Sequence, residues 1–160
     1  MLTVVSYTEQ ETERLGERIA AVLFPGAVVA LAGDLGAGKT AFARGVGNAL
    51  GIKDIVSPTF AILHVHDSTT LTLVHVDAYR LQSAEELYDI GFEEYLQGKN
   101  CVILVEWPMH VIDALPKNRL DILIEGSGMQ ERTITCTAHG AAYEKLFFCL
   151  QETKKRETPC

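Results

Sequence analysis

Nothing in this chain is apolar for long enough to cross a bilayer: its apolar runs are short and broken by glycine, proline or charge. Cysteine is scarce and scattered. Cys101, Cys136, Cys149 and Cys160 form no CxxC pair and no Cys/His cluster, which excludes a zinc framework and a disulfide scaffold and leaves reduced, mostly buried thiols as the expectation. Positive charge is also short, with 14 Lys and Arg against 21 Asp and Glu and a formal net charge of -7. Such a surface repels a polyanion, so direct, tight binding of RNA or DNA is not expected. The one basic run, Lys154-Lys155-Arg156, sits in a polar segment, residues 151–160, read as a mobile tail. The opening residues Met1-Leu2-Thr3-Val4-Val5 lack a basic region, a sustained apolar stretch and a small-residue cleavage site, so a cytoplasmic chain without membrane contact is expected.

What is present is a composition of 48% hydrophobic and 22% charged residues over 160 positions, enough for one domain with a sizeable core, placed at residues 1–150. Thr8 and Glu11 have capping-box spacing, and Leu15, Ile19, Val22 and Leu23 then recur at helical period, predicting a helix over 9–23. The run Ala27-Val28-Val29-Ala30-Leu31 is apolar on both faces, as suits a parallel strand covered by helices. A glycine-rich turn and a helix over 39–50 follow, with Gly51 as its stop. Further strands are predicted at 60–66 and 71–76, joined as a hairpin through Asp67-Ser68, and at 101–105, 120–124 and 133–137. A second capping box, Ser83 to Glu86, opens a helix ending before Gly91, and a closing helix covers 141–150. The expected fold is α/β, a three-layer sandwich with a small mixed β-sheet, and the run GDLGAGKT at 33–40 between strand and helix makes it P-loop NTPase-like.

The chemistry concentrates in Gly33-Asp34-Leu35-Gly36-Ala37-Gly38-Lys39-Thr40, which satisfies GxxxxGK[ST] between a predicted strand and a predicted helix. Glycines let the backbone turn its N–H groups onto an anion, and the helix that follows presents the positive end of its dipole. Lys39 is then placed for the β and γ phosphates of ATP and the Thr40 hydroxyl for Mg2+, with Lys39 expected to be a solvated charge in the absence of ligand. Asp34, Leu35, Gly36, Ala37, Gly38, Lys39, Thr40 and Ala41 are therefore the nucleotide-binding candidates. Such a loop needs an acidic residue at a neighbouring strand end. The strand at 101–105 delivers Glu106 and the strand at 71–76 delivers Asp77; Glu106 is preferred beside the metal, with Asp77 orienting water or supporting the site. Thr59, in Ser57-Pro58-Thr59-Phe60, occupies the loop from which nucleotide switches send a hydroxyl to the γ phosphate, and is equally readable as a turn threonine. Trp107 shields the site, faces a partner or covers core edge, Arg44 and Arg80 are loose candidates for charge stabilisation, and His64 and His66 share a strand face without a third metal ligand.

Together these segments resemble the bacterial tRNA threonylcarbamoyladenosine biosynthesis ATPase family, TsaE or YjeE. The resemblance rests on GDLGAGKT at 33–40, SPTF at 57–60, HVDAYRL at 75–81, the EEL segment running to Gly91, and VEWP at 105–108. It implies a small ATPase with a mixed sheet, Lys39 and Thr40 as phosphate and magnesium residues, Glu106 on the metal's second side, Asp77 as a catalytic carboxylate and Thr59 as a switch residue. It further implies two sugar-kinase-like partners, TsaB and TsaD, that place threonylcarbamoyl on the adenosine beside the anticodon, with tRNA met only through that complex. Met109 stands where relatives often carry an acidic or amide side chain. A small nucleoside or nucleotide kinase would add an arginine-bearing lid, which no segment supplies. A guanine-nucleotide switch would read its base with NKxD, but Asn118-Arg119-Leu120-Asp121 opens an apolar run where that reader should close one. Lacking a lid and an obvious finger arginine, the chain is expected to hydrolyse ATP slowly alone and faster with its partners.

Overall fold

The computed structural model of the chain describes residues 1–98, 100–126 and 131–156. Seven strands, β1 (Leu2–Ser6), β2 (Val28–Gly33), β3 (Leu63–His66), β4 (Thr72–Asp77), β5 (Cys101–Glu106), β6 (Arg119–Glu125) and β7 (Arg132–His139), form one sheet in the order β1-β7-β6-β2-β5-β4-β3. The central β6-β2-β5-β4 block is parallel, and β3, β7 and β1 are added antiparallel at its edges. The helices are α1 (Glu9–Ala20), α2 (Lys39–Ala49), α3 (Ala84–Asp89), α4 (Phe92–Gln97) and α5 (Ala141–Arg156). Among the described residues no helix is long and apolar enough to cross a membrane.

Apolar residues on both faces of β2 and β5 give the sheet two cores. On one side Leu15, Ile19, Phe42, Val46 and Leu146 pack against Val29, Leu31, Leu73, Leu104 and Ile122. On the other, Leu87, Phe92 and Val111 cover Val28, Ala30, Val74, Val76, Ile103 and Val105. The result is the expected three-layer α/β sandwich with a mixed sheet. Because strand side chains alternate, His75 and Asp77 share the face of Leu73, and Glu106 shares the face of Val102 and Leu104. Both carboxylates therefore emerge at the strand ends on the side of α1 and α2, in register with each other.

Several elements depart from the sequence expectations. β1 was not foreseen, although Leu2 and Val4 alternate with outward Thr3 and Val5; it needs β7 as a partner to become a strand. α4 also emerges after Gly91, whose φ of 82° turns the chain so that Phe92 can bury itself. β3 starts at Leu63, not 60, because the Pro58 carbonyl accepts from the N–H groups of Ala61 and Ile62 in a turn. Only the first capping oxygen behaves as expected, with Thr8 Oγ1 accepting from Glu11 N–H at 3.1 Å. The Glu11 carboxylate reaches Tyr7 N–H at 2.7 Å, and Ser83 makes no side-chain cap while Glu86 accepts from Gln82 N–H at 3.2 Å. α5 continues to Arg156, so part of the segment read as a tail is helical. Cys101 and Cys136 are buried free thiols, and burial pushes the Cys136 thiol up to about 12. The Cys149 side chain, Cys160 and residues 127 and 128 of the turn before β7 lie outside the described residues.

The phosphate-loop helix α2 is held against α1 at close range. A Cβ on Gly45 would sit 1.9 Å from the Glu13 carbonyl oxygen, and one on Gly16 would sit 2.3 Å from that of Phe42. Glycine here is a packing requirement. Gly45→Ala gains about 1 kcal/mol of helix propensity but forces two backbones apart, an overpacking loss of about 3 kcal/mol. The expected net loss is about 2 kcal/mol, read as a lower midpoint in urea unfolding.

Candidate nucleotide site

β2 ends in Gly33 and α2 begins at Lys39, so the sheet and the first core fix both ends of the loop between them. Gly38 precedes α2 with φ 114°, a conformation that side chains rarely adopt. A Cβ there would also press on Arg132 Nε at 3.2 Å. No side chain caps the helix, so its first N–H groups face the loop and are open to an anion.

Lys39 is not the solvated charge expected from sequence: the residue is only 6% exposed. Its Nζ donates to Gly33 O at 2.7 Å and Asp34 O at 3.0 Å, and lies 4.1 Å from the centre of the Trp107 ring. Burial lowers its pKa from the ordinary lysine value, opposed by the charges of Glu106, Asp77 and Asp34. Trp107 reaches this position through a left-handed backbone, φ 56° and ψ 48°, directly before Pro108. That conformation is costly for a bulky residue and more so before proline, and it turns the indole back over the loop.

Asp77 is buried and saturated on one oxygen. Its Oδ2 accepts from Ser57 Oγ at 2.6 Å and Thr59 Oγ1 at 2.8 Å, while Oδ1 accepts from Tyr79 N–H at 3.0 Å. Glu106 is buried too, its Oε1 2.8 Å from His75 Nε2. Arg132, at the start of β7, donates from Nε to Ala37 O at 2.9 Å and so braces the loop from below.

These groups converge on a cleft of about 400 Å³, lined by Leu35, Gly36, Gly38, Lys39, Thr40 and Ala41 of the loop region together with Ser57, Thr59, Asp77, Glu106, Trp107 and Arg132. Asp34 and Ala37 do not line it, and serve the loop through their carbonyls. Arg44 and Arg80 are not in it either: Arg44 pairs with Glu9 and Glu13, and Arg80 lies over the Phe60 ring. Asp121 of the NKxD-like segment is inside β6, paired with Arg119 and His139. Sequence reasoning missed Arg132 and His75. A signal existed for each, since Arg132 has the parity of buried Ile134 and Cys136, and His75 that of Leu73 and Asp77. The donor chemistry fits the groups expected here. Thr40, Glu106 and Asp77 offer hard oxygen atoms suited to magnesium, and Lys39, Arg132 and an uncapped helix start suit polyphosphate.

Comparisons with known proteins place the chain in a family and a fold. Residues 6–134 match the family model described as threonylcarbamoyl adenosine biosynthesis protein TsaE. The tRNA threonylcarbamoyladenosine biosynthesis protein TsaE of Bacillus subtilis is 45% identical over 138 residues, 86% of this chain and 85% of that one. The protein of the same description from Treponema pallidum is 41% identical over 82% of this chain and 96% of its own. The crystal structure of Bacillus subtilis YdiB superposes with a TM-score of 0.83 at 38% identity, over 96% of this chain and 95% of that one. With its P-loop NTPase fold and a match to that model over most of its length, the chain belongs to the TsaE family of tRNA threonylcarbamoyladenosine biosynthesis.

Proposed function

We propose that this chain binds and hydrolyses ATP with Mg2+ in the cytoplasm, and that turnover drives or resets the TsaB and TsaD pair that modifies tRNA. The observation that carries this reading is the convergence of an uncapped helix start, two buried cations and two buried carboxylates in register on a single cleft. When bound, the magnesium ion would neutralise phosphate oxygens and so ease cleavage of the terminal phosphoanhydride bond.

The chain's own groups divide the remaining work. Lys39 exchanges the carbonyls of Gly33 and Asp34 for phosphate oxygens, trading neutral acceptors for charged ones. Thr40 and Glu106 hold the metal. Asp77 is the poorer metal ligand because two hydroxyls already occupy Oδ2; it holds the Ser57 and Thr59 segment and orients water once that segment swings to the nucleotide. Arg132 supplies a cation from within the chain, in the part that the sequence left to the loose candidates Arg44 and Arg80. The apolar rim supports partner control: Leu35 and Phe60 are 86% and 87% exposed, and Val56 and Phe60 flank the two switch hydroxyls. A protein seated there would exclude water from the cleft and order the segment.

Lys39→Ala is expected to abolish hydrolysis with little change in the unfolding midpoint, since relief of a buried charge offsets two lost hydrogen bonds. Glu106→Gln is expected to leave nucleotide binding measurable and slow hydrolysis about 100-fold; a far larger loss of metal affinity in Asp77→Asn would reverse the two roles. Arg132→Gln should weaken ATP binding by about tenfold or more, the scale of one charged hydrogen bond, and weaken AMP binding less, as calorimetry would show. Steady-state hydrolysis should rise when TsaB and TsaD are both present, and the rise should be lost in Thr59→Ala. Equal rates alone, with each partner and with both would refute partner control.

A further inference from the structure

Two buried polar side chains at the cleft, His75 and Glu106, are bonded to each other. His75 is 0% exposed and Glu106 2%. Their strands are paired with Asp77 opposite Glu106 and His75 opposite Leu104, so the imidazole lies two residue pairs behind the carboxylate, on the same face. His75 Nδ1 has no hydrogen-bond partner. A buried imidazole with a single satisfied nitrogen keeps its proton there, on Nε2, because an orphaned N–H costs more than an orphaned lone pair, and a carboxylate oxygen can only accept. The bond is therefore Nε2–H donating to Glu106 Oε1. A histidine retained only for packing gains nothing at this place, where a leucine of similar volume would leave no orphan nitrogen.

We propose that His75 is a positioning residue: its hydrogen bond fixes one oxygen of Glu106 and so presents the other to the metal beside Thr40. This rests on the reading of Glu106 as a metal-side carboxylate. Unfixed, a glutamate at a strand end has three rotatable bonds and several ways to point. Fixed, it meets the near-octahedral demand of magnesium without paying that ordering on each binding event.

The test is a magnesium titration of the full chain with a fluorescent ATP analogue, followed by anisotropy, for wild type, His75→Leu, His75→Asn, His75→Gln and Glu106→Gln. His75→Leu and His75→Asn, whose amide is too short to reach, should raise the Mg2+ concentration for half-saturation by about 10- to 100-fold. Binding of the analogue in excess chelator should be unchanged. His75→Gln, which can place an amide N–H near the Nε2 position, should recover most of the loss, and thermal melts identify any variant that fails to fold. If Glu106→Gln shifts the magnesium midpoint while both His75→Asn and His75→Leu keep the wild-type value, the positioning role is overturned and the metal site stands. If Glu106→Gln itself leaves the midpoint unchanged, the metal assignment falls and His75 falls with it.

Discussion

Taking the Lys39 ammonium out of water makes a demand on the whole site, and its neighbours are disposed around that demand. A buried cation must be paired or solvated by dipoles. Lys39 has the Gly33 and Asp34 carbonyls at 2.7 and 3.0 Å, the face of Trp107 at 4.1 Å, and the charges of Glu106, Asp77 and Asp34 around it. The carboxylates in turn need compensation. Glu106 takes it from His75, and Asp77 from Ser57, Thr59 and the Tyr79 amide. Even the unfavourable backbone of Trp107 is explained by this demand, since it brings the indole to the cation.

The same contacts engage two donors of the site: Lys39 donates to Gly33 O, and Thr59 donates to Asp77 Oδ2. In the proposed function a bound nucleotide would compete for both donors. A charged phosphate oxygen is the stronger acceptor for Lys39, so under that proposal nucleotide draws the lysine off its carbonyls.

Much of this was legible locally. The loop, its strand and its helix are encoded within residues 28–49, and a parallel strand apolar on both faces announces that its terminal carboxylate lies at the sheet's binding edge. The apolar runs at 71–76 and 101–105 put Asp77 and Glu106 at strand ends, where the structure has them. What could not be read were contacts that depend on strand order. Arg132 reaches Ala37 because β7 is brought near the loop by β6, and His75 meets Glu106 because β4 lies beside β5; neither adjacency has a local signature. The burial of Lys39 has the same origin, since it takes Trp107 and two strand ends to enclose it. β1 was missed because an edge strand of five residues depends on its neighbour, not on a strong pattern of its own.

The most direct test is a crystal structure with Mg2+ and a non-hydrolysable ATP analogue. Nucleotide binding through this loop predicts the triphosphate over the start of α2, with Lys39 Nζ moved from the Gly33 and Asp34 carbonyls to the phosphate oxygens and magnesium on the side of Thr40 and Glu106. An analogue bound elsewhere, or bound in the cleft with Lys39 still on its two carbonyls, would contradict it.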